Sequence, residues 1–232
     1  MEDIKKEEKN PEKEEEDKVL ELKNKEMDKK HNKQLGAILM VMIGIFLTIA
    51  IMILVMQSIA NFEYKGLNFQ KSKFGNIPIY RFALNFVTHA SGGMTSQVTR
   101  EFAFRNDPRQ LDVPVNIKQL VFTKDMTYIS ISPEMTKCED TGIAIANIAQ
   151  LLGAADIQLS TGTDDLETSE QQGVPYVPCS SEMNATVILI QESEESSIVQ
   201  RGKCYEINIA NCEVLDSTER FMLESAVTFI KY

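Results

Sequence analysis

Tryptophan is absent from the 232 residues, and histidine occurs only twice, as His31 and His89. So few imidazoles leave no histidine-rich metal centre. A zinc site would have to recruit cysteine, but the four cysteines contain no C-x-x-C pair. The sequence also lacks G-x-S-x-G, G-x-x-x-x-G-K-[ST], G-x-G-x-x-G and H-E-x-x-H. Each of these patterns announces a specific chemistry: a serine nucleophile, a phosphate cradle, a dinucleotide site or a zinc protease. Ser-His-acid catalysis would have to run through His89, in the hairpin loop beside Gly92-Gly93. No catalytic residue, cofactor or metal ligand is therefore assigned. Positive charge is in deficit as well: 24 Lys and Arg against 34 Asp and Glu give a net charge of −10. An acidic protein repels a phosphate backbone, which argues against nucleic acid as a partner.

The longest stretch without charge is Leu35–Met56, LGAILMVMIGIFLTIAIMILVM, with Thr48 as its one hydroxyl. Its length predicts a single transmembrane helix. A cleaved signal peptide, suggested by Ser58-Ile59-Ala60, fits less well, because signal apolar regions are shorter and follow a short basic start. A pilin-like assembly helix cut near Gly36 fits loosely, but the leader is long. Residues 1–34 are a Lys/Glu tail, disordered at first and helix-supporting beyond Pro11 through Glu14–Lys18, Glu21–Lys25 and Glu26–Lys30. Lysines crowd this side of the apolar run, so the positive-inside rule predicts a single-pass signal-anchor. Its N-terminus would be cytoplasmic and its C-terminal domain extracytoplasmic, on the cell membrane.

The remainder is predicted as a juxtamembrane stalk (57–76), whose Phe62, Tyr64 and Phe69 suit the membrane interface, and a mixed α/β (α+β) domain (77–232) with six to eight strands and two main helices. Ile79–Thr88 and Val98–Arg105 alternate apolar and polar residues, which predicts an antiparallel hairpin about Gly92-Gly93. Val113–Phe122 reads as an edge segment interrupted by Pro114. A strand (Thr127–Ser132), a helix capped by Asp140 or Thr141 and ended by Gly153, and a strand (Ile157–Thr161) suggest a βαβ unit. In that helix Ile143, Ala146, Ile148, Leu151 and Leu152 supply the expected buried side. Gly162–Glu182 reads as a long polar loop tethered by Cys179. Ala185–Ile190, Ile198–Gln200 and Cys204–Ile209 read as strands, and Asp216-Ser217-Thr218 as the cap of a last helix.

The residues with chemical potential are few. Cys138, Cys179, Cys204 and Cys212 all follow the apolar run and are disulfide candidates, with three pairings open. Cys204 and Cys212 could pair with each other only if the chain turned near Ala210-Asn211. Asn184-Ala185-Thr186 is an N-glycosylation sequon. Arg105 and Arg109 frame an anion-contacting turn. Asp164-Asp165-x-Glu167 and Glu192-x-Glu194-Glu195 are acidic, but neither has a calcium-loop spacing. The expectation is a binding or assembly subunit of a surface or envelope complex. Its partners would be the lipid bilayer and proteins of the membrane or envelope. The alternatives are a membrane-anchored hydrolase or transferase with an unfamiliar site and, behind it, a thiol redox protein.

Overall fold

The computed structural model describes residues 39–55, 60–89, 95–123, 126–180 and 184–230. Two units separate along the chain, Met1–Ser58 and Ile59–Tyr232. In the first, residues 39–55 form helix α1, with every side chain exposed. The expectations for the 1–34 tail and for Gly36 lie outside the described residues. No helix among the described residues is long and apolar enough to cross a membrane, which overturns the predicted transmembrane helix at Leu35–Met56. The described helix is short for a span. Residues 39 through 55 are seventeen, and at ~1.5 Å per residue they reach ~25 Å, against a hydrocarbon core of ~30 Å.

The second unit is an α+β domain with two sheets. Strands β1 (Asn61–Tyr64), β2 (Leu67–Phe74), β3 (Ile77–His89) and β4 (Thr95–Phe104) form an antiparallel sheet in chain order. The predicted hairpin is present, with Tyr80 opposite Phe104 and Phe82 opposite Phe102. The fold does not begin at Ile77, however. The stretch read as a stalk contains β1 and β2, and Leu67 and Phe69 are buried in the core. Phe62, Phe69, Phe82 and Phe104 pack against one another at centroid distances of 5.0 to 5.9 Å, Phe62 stacked on Phe69 and the others tilted or edge-on. These rings are drawn to one another rather than to a membrane interface.

The second sheet contains β5 (Val115–Asn116), β6 (Thr127–Ile131), β7 (Leu159–Gly162), β8 (Thr186–Glu192), β9 (Ser197–Arg201) and β10 (Cys204–Ile209), in the order β5-β9-β10-β8-β6-β7. Ten strands among the described residues thus replace the expected six to eight. β6 and β7 are parallel and joined through helix α2 (Thr141–Ala154), the anticipated βαβ arrangement. β8 lies between β6 and β10, parallel to both, so it is buried on both faces. That accounts for its unbroken apolar run Val187–Ile190. A short helix α3 (Leu166–Gln172) occupies the stretch expected to be loop. Asp165 caps it by accepting the Thr168 N–H at 2.7 Å, and Gly173 closes it at φ 67°.

Helices α2 and α4 (Val214–Phe229) lie between the sheets, and all three layers share one core. The buried stripe of α2 is Ala144, Ile148, Leu151 and Leu152. Ile143 and Ala146, expected inside, face out, because the i, i+4, i+7 stripe starts one residue later. Gly153 stays inside the helix rather than ending it. α4 begins at Val214, ahead of the predicted Asp216-Ser217-Thr218 cap. Ser217, Thr218 and Ser225 are buried inside it, and their hydroxyls donate to carbonyls, as Thr218 does to Val214 O at 2.8 Å and Ser225 to Phe221 O at 2.9 Å. A helix enclosed by two sheets can in this way bury small polar residues without leaving them unpaired.

On the outer face of the second sheet, Val177, Val187, Leu189 and Cys204 make a smaller cluster. Gly162 lets residues 175–177 lie against β7. A Cβ there would meet Val177 Cγ2 at 2.6 Å and Pro175 O at 2.9 Å, so no other residue fits without displacing that segment.

Candidate functional site

The four cysteines form two disulfides, Cys138–Cys212 and Cys179–Cys204. Cys138 closes the 3-10 turn Pro133–Lys137 just ahead of α2, and Cys212 precedes α4, so the first bond ties together the starts of the two central helices. The chain does turn beyond Ala210, with Asn211 at φ 52° and Cys212 at φ 56°. The turn delivers Cys212 to Cys138 rather than to Cys204. The second disulfide pins the 174–180 segment across the outer face at β10. Glu206 is beside it, its Oε1 3.2 Å from Cys179 Sγ and its Oε2 3.1 Å from Arg201 Nε.

In the Arg105–Arg109 turn, backbone N–H groups hold a carboxyl group of the protein itself. Glu219 of α4 is fully buried and accepts the backbone N–H of Arg105 at 2.6 Å and of Asn106 at 3.0 Å. Removal from water pushes its carboxyl up to about 7, against the opposing pull of those two N–H groups and of Arg105, while Asp216 adds to the rise. Asp216 is itself raised, first by burial and then by Glu213, although Asn106 donates to it. The two arginines are both engaged. Arg105 pairs with Asp140 of α2 at 3.1 Å. Arg109 forks onto Asp107 at 2.9 and 2.6 Å and lies over the Phe62 ring at 3.9 Å. That fork is the main reason the Asp107 carboxyl falls below its usual range. The turn therefore joins the first sheet to the helices.

The acidic clusters have structural uses too. Asp164 accepts the Ser132 hydroxyl at 2.7 Å, and Asp165 caps α3. Glu192, Glu194 and Glu195 are solvated at and beyond the end of β8. No group of three or more potential metal ligands occurs among the described residues. Asn184 is exposed just ahead of β8 and accepts from Lys203 Nζ at 2.9 Å.

An apolar concavity lies elsewhere, and no sequence motif points to it. A groove of about 530 Å³ opens where four separate stretches meet: 85–87 on β3, 119–122, the end of α2 with Ile157, and Thr228-Phe229 at the end of α4. Phe86, Phe122 and Phe229 form its floor, with ring centroids 5.9 to 6.1 Å apart. Val87 and Val121 stand on its rim, 55 % and 57 % exposed. Tyr205 fixes the 119–122 wall from below. Its hydroxyl accepts the Val121 N–H at 2.7 Å and points its proton toward Val121 O at 3.0 Å. Burial raises the Tyr205 phenol above its ordinary range, so it remains a neutral donor and acceptor. The groove presents hydrocarbon, aromatic rings and the amides of Asn85 and Gln119. Such a lining binds by burying apolar surface.

No protein-family model, curated protein or solved structure matches this chain.

Proposed function

We propose that the chain is a binding or assembly subunit of a surface or envelope complex, with its α+β domain in an oxidising, extracytoplasmic compartment. Two disulfides in one domain support the compartment, since such bonds persist where thiols are not kept reduced. Helix α1 has apolar side chains on every side and no polar face to leave in water. Its exposed apolar side chains support the lipid bilayer as a partner. The observation that carries binding over catalysis is the groove. Three of the domain's arginines pair with its own carboxylates, in Arg105–Asp140, Arg109–Asp107 and Arg220–Glu224, while the open concavity is apolar. Its occupant is one or two apolar side chains of a protein partner in the membrane or envelope.

Site-specific photo-crosslinking in the native membrane tests this reading. A photoreactive residue at Val121 is expected to capture one discrete partner, whereas the same residue at Arg81, on the exposed face of the first sheet, is not. Equal capture from both positions, or none from Val121, would overturn it.

A further inference from the structure

We infer that Asn184 is an N-glycan attachment site that is modified before β8 is built into its sheet. The inference rests on the extracytoplasmic compartment proposed above. Its chemical content is a group transfer. The Asn184 Nδ2 displaces the pyrophosphate of a lipid-pyrophosphate-linked oligosaccharide. The Nδ2–C1 bond forms, the C1–O bond breaks, the lipid pyrophosphate leaves with the electron pair, and the amide releases one proton.

The two essential residues of the sequon have opposite fates. Asn184 is exposed ahead of the strand, and its side-chain oxygen, not its nitrogen, is the atom held by Lys203 at 2.9 Å. A sugar on Nδ2 therefore meets solvent and leaves that contact in place. Thr186 is 1 % exposed. Its hydroxyl accepts the Thr123 N–H at 2.9 Å and lies 2.8 Å from the Thr123 hydroxyl. The requirement for Ser or Thr at this position means that the transferase reads the hydroxyl. In the finished domain that group is enclosed and already bonded, so the folded protein cannot present it.

The order of synthesis leaves a window. β8 is sealed on one side by β6 and on the other by β10, with Val187 opposite Cys204. Thr186 pairs with Thr127 of β6, and the β8–β10 ladder begins one residue on; β10, with Cys204, follows the sequon in the chain, so β8 cannot become a central strand, nor the Cys179–Cys204 bond form, until β10 emerges. Once attached, the sugar projects from the β8 entry, beside the outer face that carries Cys179–Cys204.

The test is mass analysis of the full chain from its native membranes, with and without an amidase that removes N-linked glycans, and with thiol counting on the same sample. The expected result is four oxidised cysteines and a mass that falls on digestion, with aspartate recovered at position 184. N184Q should lack the shift and keep both disulfides. Oxidised cysteines with an unchanged mass would overturn the glycan while leaving the compartment reading intact. Free thiols would instead overturn the compartment reading. Timing has its own readout. Unglycosylated folded chain offered to an oligosaccharyltransferase should stay unmodified, whereas the reduced, unfolded chain should be modified. Equal modification of both would overturn the claim that folding closes the site.

Discussion

The Glu219 carboxylate, buried in the central helix, accepts the backbone N–H of Arg105 at 2.6 Å and so fastens the end of β4 to α4. The neighbouring Asn106 N–H takes the other oxygen at 3.0 Å. These bonds join the first sheet to the helical layer, and Glu219 itself is fully buried.

That contact makes stability depend on pH in a defined direction. Burial raises the Glu219 carboxyl from 4.5 to about 7. The folded state therefore holds its proton over a range in which the unfolded chain has lost it. The contribution is complete below about 4.5 and is lost as pH rises through about 7, a change of ~3 kcal/mol at ~1.4 kcal/mol per unit. Asp216 is raised as well and acts in the same direction, whereas the lowered Asp107 acts at more acidic pH and with the opposite sign. Urea unfolding at pH 5 and pH 8 should show the loss in the wild type. In Glu219→Gln the slope should flatten, on a lower baseline because the amide nitrogen cannot accept the second N–H. Matching pH profiles for the two proteins would contradict the assignment.

The disulfides differ in reach. Cys138–Cys212 closes 74 residues and Cys179–Cys204 closes 25. On a chain-entropy argument the first contributes ~4.5 kcal/mol and the second ~3.5 kcal/mol. Non-reducing peptide mapping should recover these two linked pairs. The double replacement of Cys138 and Cys212 by serine should cost more stability than that of Cys179 and Cys204. A Cys204–Cys212 peptide would contradict the pairing.

Tyr205→Phe removes one hydroxyl and leaves the Val121 N–H without its 2.7 Å partner. The expected cost is ~1–3 kcal/mol, with faster hydrogen exchange concentrated over residues 119–122. Unchanged exchange there would show that the wall of the groove is held by other contacts.

Much of the domain was legible where short-range pattern decides the structure. The alternation of Tyr80, Phe82, Leu84 and Phe86 marked β3, and the run Val187–Ile190 marked a central strand. β1 and β2 were misread because Phe62, Tyr64 and Phe69 suit a membrane interface as well as a core. Only pairing with β3 decides between the two. α3 has capping residues but no buried residue, so hydrophobic periodicity could not reveal it. The start of α4 was set three-dimensionally, by the Cys138–Cys212 bond and the burial of Val214 and Leu215, against the local preference of Asp216-Ser217-Thr218 for a cap. Glu219 did carry a signal: it lies four residues after Leu215 and three before Met222, on the buried stripe. The groove carried none, because four stretches distant in sequence compose it. The apolar run was legible as hydrocarbon; helix α1 covers 39–55 of it among the described residues, none of whose helices is long and apolar enough to cross a membrane.

The groove claim is tested most directly by the mass and composition of the complex extracted in mild detergent from native membranes, for wild type and Val121→Asp. Val121 is 57 % exposed, so the substitution should change stability by no more than ~0.5 kcal/mol while placing a charge on the apolar rim. The account predicts a stoichiometric protein partner with the wild type and its loss with Val121→Asp, with both disulfides and the melting temperature kept. A wild-type chain recovered alone, or a Val121→Asp chain that retains its partner, would contradict it.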